Sequence, residues 1–382
     1  MANPVAIIHT QCGPYHFARI DAFRSIYSGH IDLIQLTSQE GLRQWKVDDC
    51  SIKITTIADG MLEEYPAKHL IKNLVEYLTK TQPAILVVAG YGHPVMRAAI
   101  KWGYQKKVPV ILLSDSQYCD RPRNPILETL KSRWIRQHCD SAFVAGASAA
   151  QYLERLKFPK HKIWRCYDVV DNDYFRDQAL EVRENPSAVR AKLGLPEKFV
   201  LYVGRFSPEK NLSRLLEAFG NYQKASLDQR TFSLVLVGGG PEEQVLKHKV
   251  EQLGLKNIFW PGFKQVDDLP AYYSLASALI LPSTSEPWGL VINEAMACGL
   301  PVLASSQCGA VWDLVFPGIN GLIFNPWSSQ SISQAIILFG SYSLDQQHTM
   351  GQASQRIIQN FTPETWSLAL SDCIATTLAA AK

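Results

Sequence analysis

The feature that most constrains the fold of this chain is a repeated alternation between short apolar, β-branched runs and longer helical patterns. The runs are continuously apolar, which is typical of strands that are covered on both faces of a sheet. Strands separated by helical patterns predict parallel sheets. In the first half we predict strands at Val5–His9, Ala84–Ala89, Val108–Leu113 and Ala142–Ala145. In the second half we predict them at Phe199–Val203, Ser233–Val237, Asn257–Trp260, Ala278–Leu281, Pro301–Ala304 and Leu322–Phe324.

A polar stretch, 176–196, separates the two halves and is rich in Glu, Asn, Ser and Pro, so we predict a linker or interdomain crossing there. At 382 residues the chain is long enough for two domains, each with its own core. We therefore predict two doubly wound, Rossmann-like α/β domains, 1–180 and 181–360. Their strand carboxyl ends should line a central cleft, where open sheets of this kind bind ligands. A last helix should begin with Thr362 as its N-cap and Pro363 in its first position.

Charge is distributed unevenly along the chain. The formal net charge is only +3, so the total does not call for a nucleic-acid partner. Residues 121–165, however, hold ten Lys and Arg against three Asp and Glu, a net +7. Such local asymmetry indicates an anionic partner or a membrane surface. The segment Lys131–His138 could form a helix with a cationic face and a Trp anchor, although a solvated helix surface is the commoner outcome.

The eight cysteines are scattered, with no C-x-x-C pair, which argues against a zinc site or a disulfide framework and fits a reducing compartment. The amino end lacks the pattern of a signal peptide, and no apolar run approaches the ~20 residues of a membrane span. We expect a cytoplasmic protein. Asp171-Asn-Asp173 has the spacing of an Asp-x-Asp metal site, but we interpret it as a turn at the domain edge and predict no metal.

The most informative segment for function is 285–302, Ser-Glu-Pro-Trp-Gly-Leu-Val-Ile-Asn-Glu-Ala-Met-Ala-Cys-Gly-Leu-Pro-Val. Here a loop delivers Glu286, Gly289 opens a predicted helix, and Glu294 lies on that helix. Unpaired N–H groups at a helix start form an anion site. The arrangement suits a nucleotide sugar, with phosphates on the amides and hydroxyls on the carboxylates. The alternative is a buried α/β helix that happens to carry two acids.

Two further loops follow predicted strands. Gly204-Arg-Phe-Ser-Pro-Glu-Lys-Asn211 would project Arg205 and Lys210, which could neutralise a diphosphate; a solvated surface loop is the alternative. Val237-Gly-Gly-Gly-Pro241 permits a close backbone approach to a ligand, although it lacks the G-x-G-x-x-G dinucleotide pattern and could equally be a tight strand-to-helix turn.

The first domain offers weaker candidates. Its first loop, Gly13-Pro-Tyr-His-Phe-Ala-Arg19, could bring Gly13 to a phosphate and His16 or Arg19 to the acceptor or donor. His93, in the loop after the strand Ala84–Ala89, is also a candidate for the acceptor or sugar side. For both histidines a structural role is the more common alternative. No Ser-His-Asp or Cys-His arrangement stands out for nucleophilic catalysis.

Taken together, these motifs resemble the retaining GT-B glycosyltransferases of family 4, the glycogen synthase and phosphatidylinositol mannosyltransferase type. The resemblance runs in order over 199–326. It includes Gly204-Arg205…Lys210-Asn211, Val237–Pro241, Pro261-Gly-Phe263, Tyr272–Ala276, Pro282-Ser…Glu286–Glu294…Gly299–Val302 and Asn320-Gly321. The first half resembles the family loosely, through the Gly13 loop and Val169-Val-Asp171…Phe175. The end, Phe361…Trp366, resembles a last helix over 361–382 that crosses back to the first domain.

The resemblance implies a transferase that uses a nucleotide-diphosphate sugar and a hydroxyl acceptor, with no metal or other cofactor and with retention of configuration. Arg205 and Lys210 would bind the diphosphate together with the amides of Gly289, Leu290 and Val291. Glu294 would hold the ribose hydroxyls and Glu286 the transferred sugar. Phe263 lies where the base-binding loop of the family falls. The alternatives are a GT-B epimerase or phosphorylase, or a silent sugar-nucleotide-binding subunit.

The chain departs from the family pattern on the acceptor side. Many members carry a His after the strand that is Val108–Leu113 here, where this chain has Ser114-Asp115-Ser116, so Asp115 could contact the donor sugar instead. The first loop has Gly13-Pro14 in place of a paired glycine. Cys308-Gly309-Ala310 replaces the usual Gly-Gly. These changes leave the donor-side motifs intact.

Overall fold

A computed structural model describes residues 3–41, 52–225 and 232–381 of the chain. Within that part, the chain forms two compact units. Unit 1 contains the residues up to 118, 122–170 and those from 361 onward, and unit 2 contains 119–121 and 171–360.

Unit 1 is built on a parallel sheet in the order β3-β2-β1-β4-β5-β6-β7. Its core strands, β1 and β4–β6, are almost continuously buried, which explains their apolar composition. The strands are β1 Val5–His9, β2 Ile31–Gln39, β3 Ile54–Met61, β4 Ile85–Ala89, β5 Val110–Ser114, β6 Ser141–Val144 and β7 Ile163–Arg165.

Unit 2 is built on a second parallel sheet, in the order β10-β9-β8-β11-β12-β13. All ten strands predicted from the sequence are present, with ends that differ by at most two residues. The strands are β8 Phe199–Val203, β9 Ser233–Val237, β10 Ile258–Gly262, β11 Ala278–Leu281, β12 Val302–Ser305 and β13 Gly321–Phe324.

Fifteen α-helices connect or follow the strands in the described part of the chain. They are α1 Pro14–Ile26, α2 Ala67–Thr81, α3 Pro94–Lys106, α4 Pro125–His138, α5 Ala147–Arg155, α6 Asn172–Glu184, α7 Pro186–Leu193, α8 Leu212–Ala225, α9 Glu243–Gln252, α10 Leu269–Leu275, α11 Leu290–Ala297, α12 Val311–Leu314, α13 Ser329–Ser341, α14 Leu344–Ile358 and α15 Pro363–Ala380. None of them combines the length and the apolar character that a bilayer-spanning helix requires.

The predicted linker over 176–196 is wrong, because most of this stretch lies in α6 and α7. Its polar residues form the exposed surface of these helices, while Phe175 and Ala179, four residues apart on α6, are buried. Helix α6 packs against α10 and α11, so the boundary between the units falls between Val170 and Asp171 rather than at 180.

The last helix belongs to unit 1. The Thr362 side chain accepts a hydrogen bond from the Thr365 amide at 3.2 Å, and Pro363 opens α15, as predicted. Trp366 is 2% exposed, and its ring lies 6.0 Å from Phe23 and 5.9 Å from Phe143. Unit 1 therefore completes its core with a segment that follows unit 2 in the sequence.

Candidate functional site

The candidate site of unit 2 lies at the carboxyl ends of β8 and β11. These strands are neighbours in the sheet, and the order of the sheet reverses between them. Ligands of open α/β sheets bind at such a reversal. The loop 204–211 follows β8 and the loop 282–289 follows β11, so the topology brings the predicted cations and carboxylates to one edge.

Glycines let the loops after β8 and β9 touch backbone to backbone. Gly238 has φ +139°, and a Cβ built there would lie 1.9 Å from the Gly204 carbonyl oxygen. The Phe206 amide donates to the Gly239 carbonyl at 2.8 Å. The glycine-rich segment therefore packs against the loop that carries Arg205 and Lys210 and supports it. The sequence alone left open whether these glycines form a tight turn or approach a ligand.

Glu286 and Lys210 form an ion pair, with the Lys210 ammonium donating to Oε2 of Glu286. Their side chains are 11% and 19% exposed, respectively, so the pair is largely shielded from water. The Ser283 hydroxyl donates to the same oxygen at 3.1 Å. The Gly309 amide donates to the Glu286 carbonyl at 2.9 Å and fixes the loop to the segment after β12. Glu286 is thus held at a defined place by side-chain and backbone contacts.

Gly289 is the N-cap of α11, as predicted, and has φ +103°. A Cβ at this position would lie 3.2 Å from the Cγ of Glu286, so glycine permits both the left-handed backbone and the close carboxylate. Leu290 and Val291 begin the helix. The first amides of a helix have no partner within it and carry the positive end of its dipole, so this end of α11 can receive an anion.

Glu294 lies further along α11 and is 2% exposed. Its Oε2 accepts a hydrogen bond from the Tyr273 hydroxyl of α10 at 2.6 Å. The two glutamates therefore differ in environment: one is paired with an ammonium group and the other with a phenol.

Two of the predicted donor-side residues have exposed side chains. Arg205 is exposed next to Gly204, and its carbonyl accepts from the Tyr202 hydroxyl at 2.9 Å. Phe263 follows β10 and is 48% exposed. Both are reachable from solvent.

Glu209 lies between Arg205 and Lys210 in the loop after β8. Burial raises the pKa of its carboxyl, but the hydrogen bonds from Ser207 and from its own backbone amide, together with Lys210 and Arg205, lower the pKa by more, so the group stays ionised well into the acidic range.

In unit 1, Gly13 and His16 form a local cap. The Gly13 amide donates to Nδ1 of His16 at 3.0 Å, and the His16 amide donates to the Gly13 carbonyl at 2.9 Å. The His16 ring also lies 4.3 Å from that of His9, edge to face. The Gly13 amide is therefore already engaged by the His16 ring, and the approach of Gly13 to a phosphate stays a prediction.

Arg19 lies in the interior of unit 1 and is 3% exposed. Its guanidinium donates to the Val169 carbonyl at 2.8 Å and to Asp168 at 3.3 Å. The prediction that Arg19 contacts the donor or the acceptor is wrong, because the Arg19 side chain is buried and joins α1 to the segment after β7. The sequence did not reveal this role because the partners lie about 150 positions away.

His93 is the N-cap of α3, where its Nδ1 accepts from the Val95 amide at 3.3 Å. Burial lowers the pKa of this imidazole, and Arg97 lowers it further, against an opposing contribution from Glu40. Asp115 is exposed directly after β5. Gly13, His93 and Asp115 follow β1, β4 and β5, which are adjacent, so the three positions share one edge of the sheet.

Asp171-Asn-Asp173 is a helix start rather than a simple turn. The Asp171 carboxylate accepts from the Tyr174 amide at 2.9 Å, and Asp173 pairs with Arg176 at 2.6 Å. Both carboxylates therefore have structural roles at the beginning of α6.

Two residues of the site escaped the sequence-based prediction. Ser283 and Tyr273 orient the two glutamates. Both lie in motifs of the resemblance, Pro282-Ser and Tyr272–Ala276, but the motifs alone do not specify these contacts. The Tyr273–Glu294 contact joins residues 21 positions apart on two helices.

The motifs of unit 2 lie within a region that matches a known family model. Residues 187–357 match the model described as glycosyl transferases group 1. This region contains Arg205, Lys210, Glu286 and Glu294.

Two curated relatives cover a similar part of the chain. The O-antigen chain mannosyltransferase B of Escherichia coli is 36% identical over 198 residues, which are 51% of this chain and 49% of that protein. The alpha-monoglucosyldiacylglycerol synthase of Streptococcus pneumoniae is 34% identical over 144 residues, 37% of this chain and 30% of that protein. The chain thus spans no more than about half the length of either relative.

Solved structures resemble the chain over almost its whole length. HepE of Anabaena, in complex with UDP and glucose, covers 98% of this chain and is covered completely, with a TM-score of 0.75 and 17% identity. This similarity confirms the predicted fold, two doubly wound α/β domains of the GT-B type. Residues 187–357 thus match the model of group 1 glycosyl transferases, and the chain as a whole has the GT-B fold.

Proposed function

We propose that the protein is a retaining glycosyltransferase of family 4 that moves a sugar from a nucleotide-diphosphate donor to a hydroxyl acceptor. The observation that carries this proposal is the Lys210–Glu286 ion pair beside the open start of α11. This pair lies at the same edge as the first amides of α11, and a cation, helix amides and a carboxylate together would suit a diphosphate joined to a sugar.

The cations would stabilise the leaving group. As the bond from the sugar to the diphosphate breaks, negative charge grows on the phosphate oxygen, and fixed donors that face this charge lower the barrier. The Lys210 ammonium has three N–H donors, so its bond to Glu286 leaves two for phosphate oxygens. Arg205 supplies a second, planar cation, and the amides of Gly289, Leu290 and Val291 complete the diphosphate site.

The glutamates would recognise the two ends of the donor. Glu294 would accept hydrogen bonds from the ribose hydroxyls, and Tyr273 orients its carboxylate. Glu286 would accept from hydroxyls of the transferred sugar and keep Lys210 in place. Phe263 would contact the base. We propose retention by attack on the same face that the diphosphate leaves, so that the leaving phosphate takes the acceptor proton.

The reaction as proposed needs no metal and no other cofactor, because Arg205, Lys210 and the helix start supply the positive charge. The acceptor-side candidates are His16, His93 and Asp115, with Asp115 in the position of the histidine that is common in the family. We further propose a cytoplasmic protein with peripheral membrane contact through 121–165. One relative is by name a synthase of a monoglucosyldiacylglycerol, which supports a lipid hydroxyl among the possible acceptors.

Replacing Lys210 by Ala tests the proposed diphosphate site. We expect kcat to fall by about 100- to 1000-fold, the usual effect of removing one group that stabilises developing charge. Lys249→Ala is the matched control, because Lys249 is also ion-paired in unit 2 and its side chain is 21% exposed, close to the 19% of Lys210. Circular dichroism would establish that both variants fold. Wild-type turnover in Lys210→Ala would overturn the assignment.

Glu294→Gln extends the test to the nucleotide. The amide oxygen of Gln can still accept from the Tyr273 hydroxyl, but the negative charge and one of the two acceptor oxygens proposed for the ribose hydroxyls are lost. A thermal-shift screen with UDP, GDP and ADP sugars identifies the donor. A ligand that binds only the folded protein stabilises it by about 2.7 kcal/mol at a hundredfold excess over its Kd. The shift should be present in the wild type and reduced in Glu294→Gln. Product analysis separates transfer from epimerisation and from phosphate-dependent cleavage.

A further inference from the structure

Helices α4 and α5 of unit 1, with the loop before α4, line an open cavity of about 490 Å³. Two stacked pairs form part of its wall: the Arg155 guanidinium lies 4.3 Å from the ring centre of Tyr118, and that of Arg123 lies 4.3 Å from the ring centre of Tyr152. Such contacts hold guanidinium groups in place before a ligand arrives.

The cavity is strongly cationic. Its lining includes Arg123, Arg133, Arg136, Arg155 and Lys157 against a single carboxylate, Glu128, which gives five positive charges and one negative.

Glu128 is already neutralised by other groups. Lys131 pairs with its Oε1, and Arg123 lies 3.8 Å from the same oxygen. Burial raises the pKa of this carboxyl, but Lys131, the Tyr152 hydroxyl and Arg123 lower it by more, so Glu128 remains ionised and committed to these partners.

The other four cations have no such partner. Among the residues that the structure describes, no carboxylate lies within 4.0 Å of Arg133, Arg136, Arg155 or Lys157. The cavity therefore has a positive charge that the described part of the protein does not balance.

An apolar ridge lies beside this cavity on α4. Ile126, Leu127 and Leu130 are 72%, 61% and 60% exposed, an unusual state for three large aliphatic side chains on one helix. At about 100° per residue, these three positions fall within an arc of about 100°. Arg133 and Arg136 follow on one side of that arc and line the cavity.

We propose that the cavity between α4 and α5 binds the phosphate of an anionic membrane lipid while Ile126, Leu127 and Leu130 enter the acyl region beside it. Arginine groups bind phosphate with two parallel hydrogen bonds, and aliphatic side chains beside basic ones are typical of helices that lie in a membrane interface. Soluble phosphate would satisfy the cations alone, whereas a lipid surface also covers the ridge. This inference deepens the membrane contact of the proposed function and names its site and lipid class.

Vesicle flotation tests the proposal. The wild-type protein should float with vesicles of phosphatidylcholine and phosphatidylglycerol and not with phosphatidylcholine alone. Binding should weaken as NaCl rises from about 0.15 M to about 1 M, because the screening length falls from about 8 to about 3 Å. Equal binding to both vesicle types would overturn the proposal, since the phosphate site would then add nothing.

Two sets of variants locate the binding. Arg133→Gln with Arg136→Gln should lower partitioning onto anionic vesicles about 25-fold, given about fivefold for each basic side chain at the surface. Lys68→Gln with Lys80→Gln removes the same charge from exposed positions of α2 and is the matched control. Leu127→Ser with Leu130→Ser should lower partitioning onto anionic vesicles at least tenfold, because less apolar surface is then buried in the membrane. The same loss in the α2 control would show a diffuse charge effect and would overturn the assignment to the cavity.

Inorganic phosphate distinguishes the two sources of the anion. If phosphate stabilises the wild type but not the Arg133/Arg136 variant, and neither protein floats, the site takes a soluble phosphate and the lipid assignment is wrong. Thermal shift with UDP, GDP and ADP sugars is measured on the same wild-type sample. A nucleotide shift without flotation refutes the lipid site alone, and flotation without a nucleotide shift refutes the proposed transferase alone.

Discussion

Residues of one chemical type have different tasks in this protein because their immediate neighbours differ. Glu286 lies against an ammonium and a serine hydroxyl, whereas Glu294 lies against a tyrosine hydroxyl and is almost fully buried. The carboxylates could be predicted from the sequence because they follow a strand and a helix start. Their partners could not, because the Tyr273–Glu294 contact joins two helices and the Ser283–Glu286 contact depends on how the loop 282–289 folds.

His93 provides a residue-scale prediction for pH. Its Nδ1 can accept from the Val95 amide only when it carries no proton, and the folded state holds the pKa of this imidazole below its usual 6.5. The unfolded chain therefore binds the proton more readily, so stability is full above about pH 6.5 and falls as the pH drops towards the folded pKa. His93→Asn keeps a side-chain oxygen that can cap α3 but has no group that titrates near pH 6. As the pH falls below about 6.5, this variant should lose less stability than the wild type.

The expected difference is at most about 1 kcal/mol, the usual contribution of an N-cap, because the ring is partly exposed. Urea unfolding between about pH 8 and pH 5 would measure it. Parallel curves for the wild type and His93→Asn would show that the titration of His93 does not contribute to the pH dependence.

At the scale of elements, apolar continuity predicted the strands of both sheets well. Runs such as Val5–Ile8 and Phe199–Val203 are fully buried, and strands covered on both faces are apolar along most of their length. The strands β2, β3 and β7 were missed because they lie towards the edges of their sheet, where polar residues such as Thr55 and Thr56 of β3 and Arg165 of β7 are tolerated. The helices α6 and α7 were missed because polar helix surfaces resemble linkers in composition.

Gly238 and Gly239 allow an element-scale test of the loop support. Gly238→Ala would place its Cβ 1.9 Å from the Gly204 carbonyl at φ +139°, whereas the Cβ of Gly239→Ala would meet its nearest neighbour at an ordinary 3.6 Å. We expect Gly238→Ala to cost about 2–3 kcal/mol. This should lower the Tm of unit 2 by about 5–10 °C. Differential scanning calorimetry would show it, and similar Tm values for both variants would mean that the loops do not pack in this way.

At the scale of the whole molecule, the chain divides into two units, and its last helix returns to unit 1. The sequence indicated two α/β halves through their separate sets of strands. The boundary at 170/171 could not be found from composition, because α6 is polar outside and joins unit 2 through a few buried residues such as Phe175.

Trp366 allows a test of this organisation. Trp366→Ala removes a buried ring from the core of unit 1 and should cost about 3–5 kcal/mol. Leu368→Ala, on the same helix but 62% exposed, is the control. Calorimetry should show a lower transition for unit 1, while a bound sugar nucleotide still raises the transition of unit 2. A nucleotide shift lost along with the unit 1 transition would show that the units do not unfold separately.

The place of α15 also bears on how the protein is made. Between Val170 and Phe361 the ribosome adds the 190 residues of 171–360, all of them assigned to unit 2. At about 5–20 residues per second, this takes roughly 10–40 s. During that time Phe23 and Phe143 lack the ring of Trp366, so unit 2 can finish folding while unit 1, synthesised first, is still incomplete. A chaperone that covers apolar surface would therefore meet the first half of this nascent chain for longer than the second.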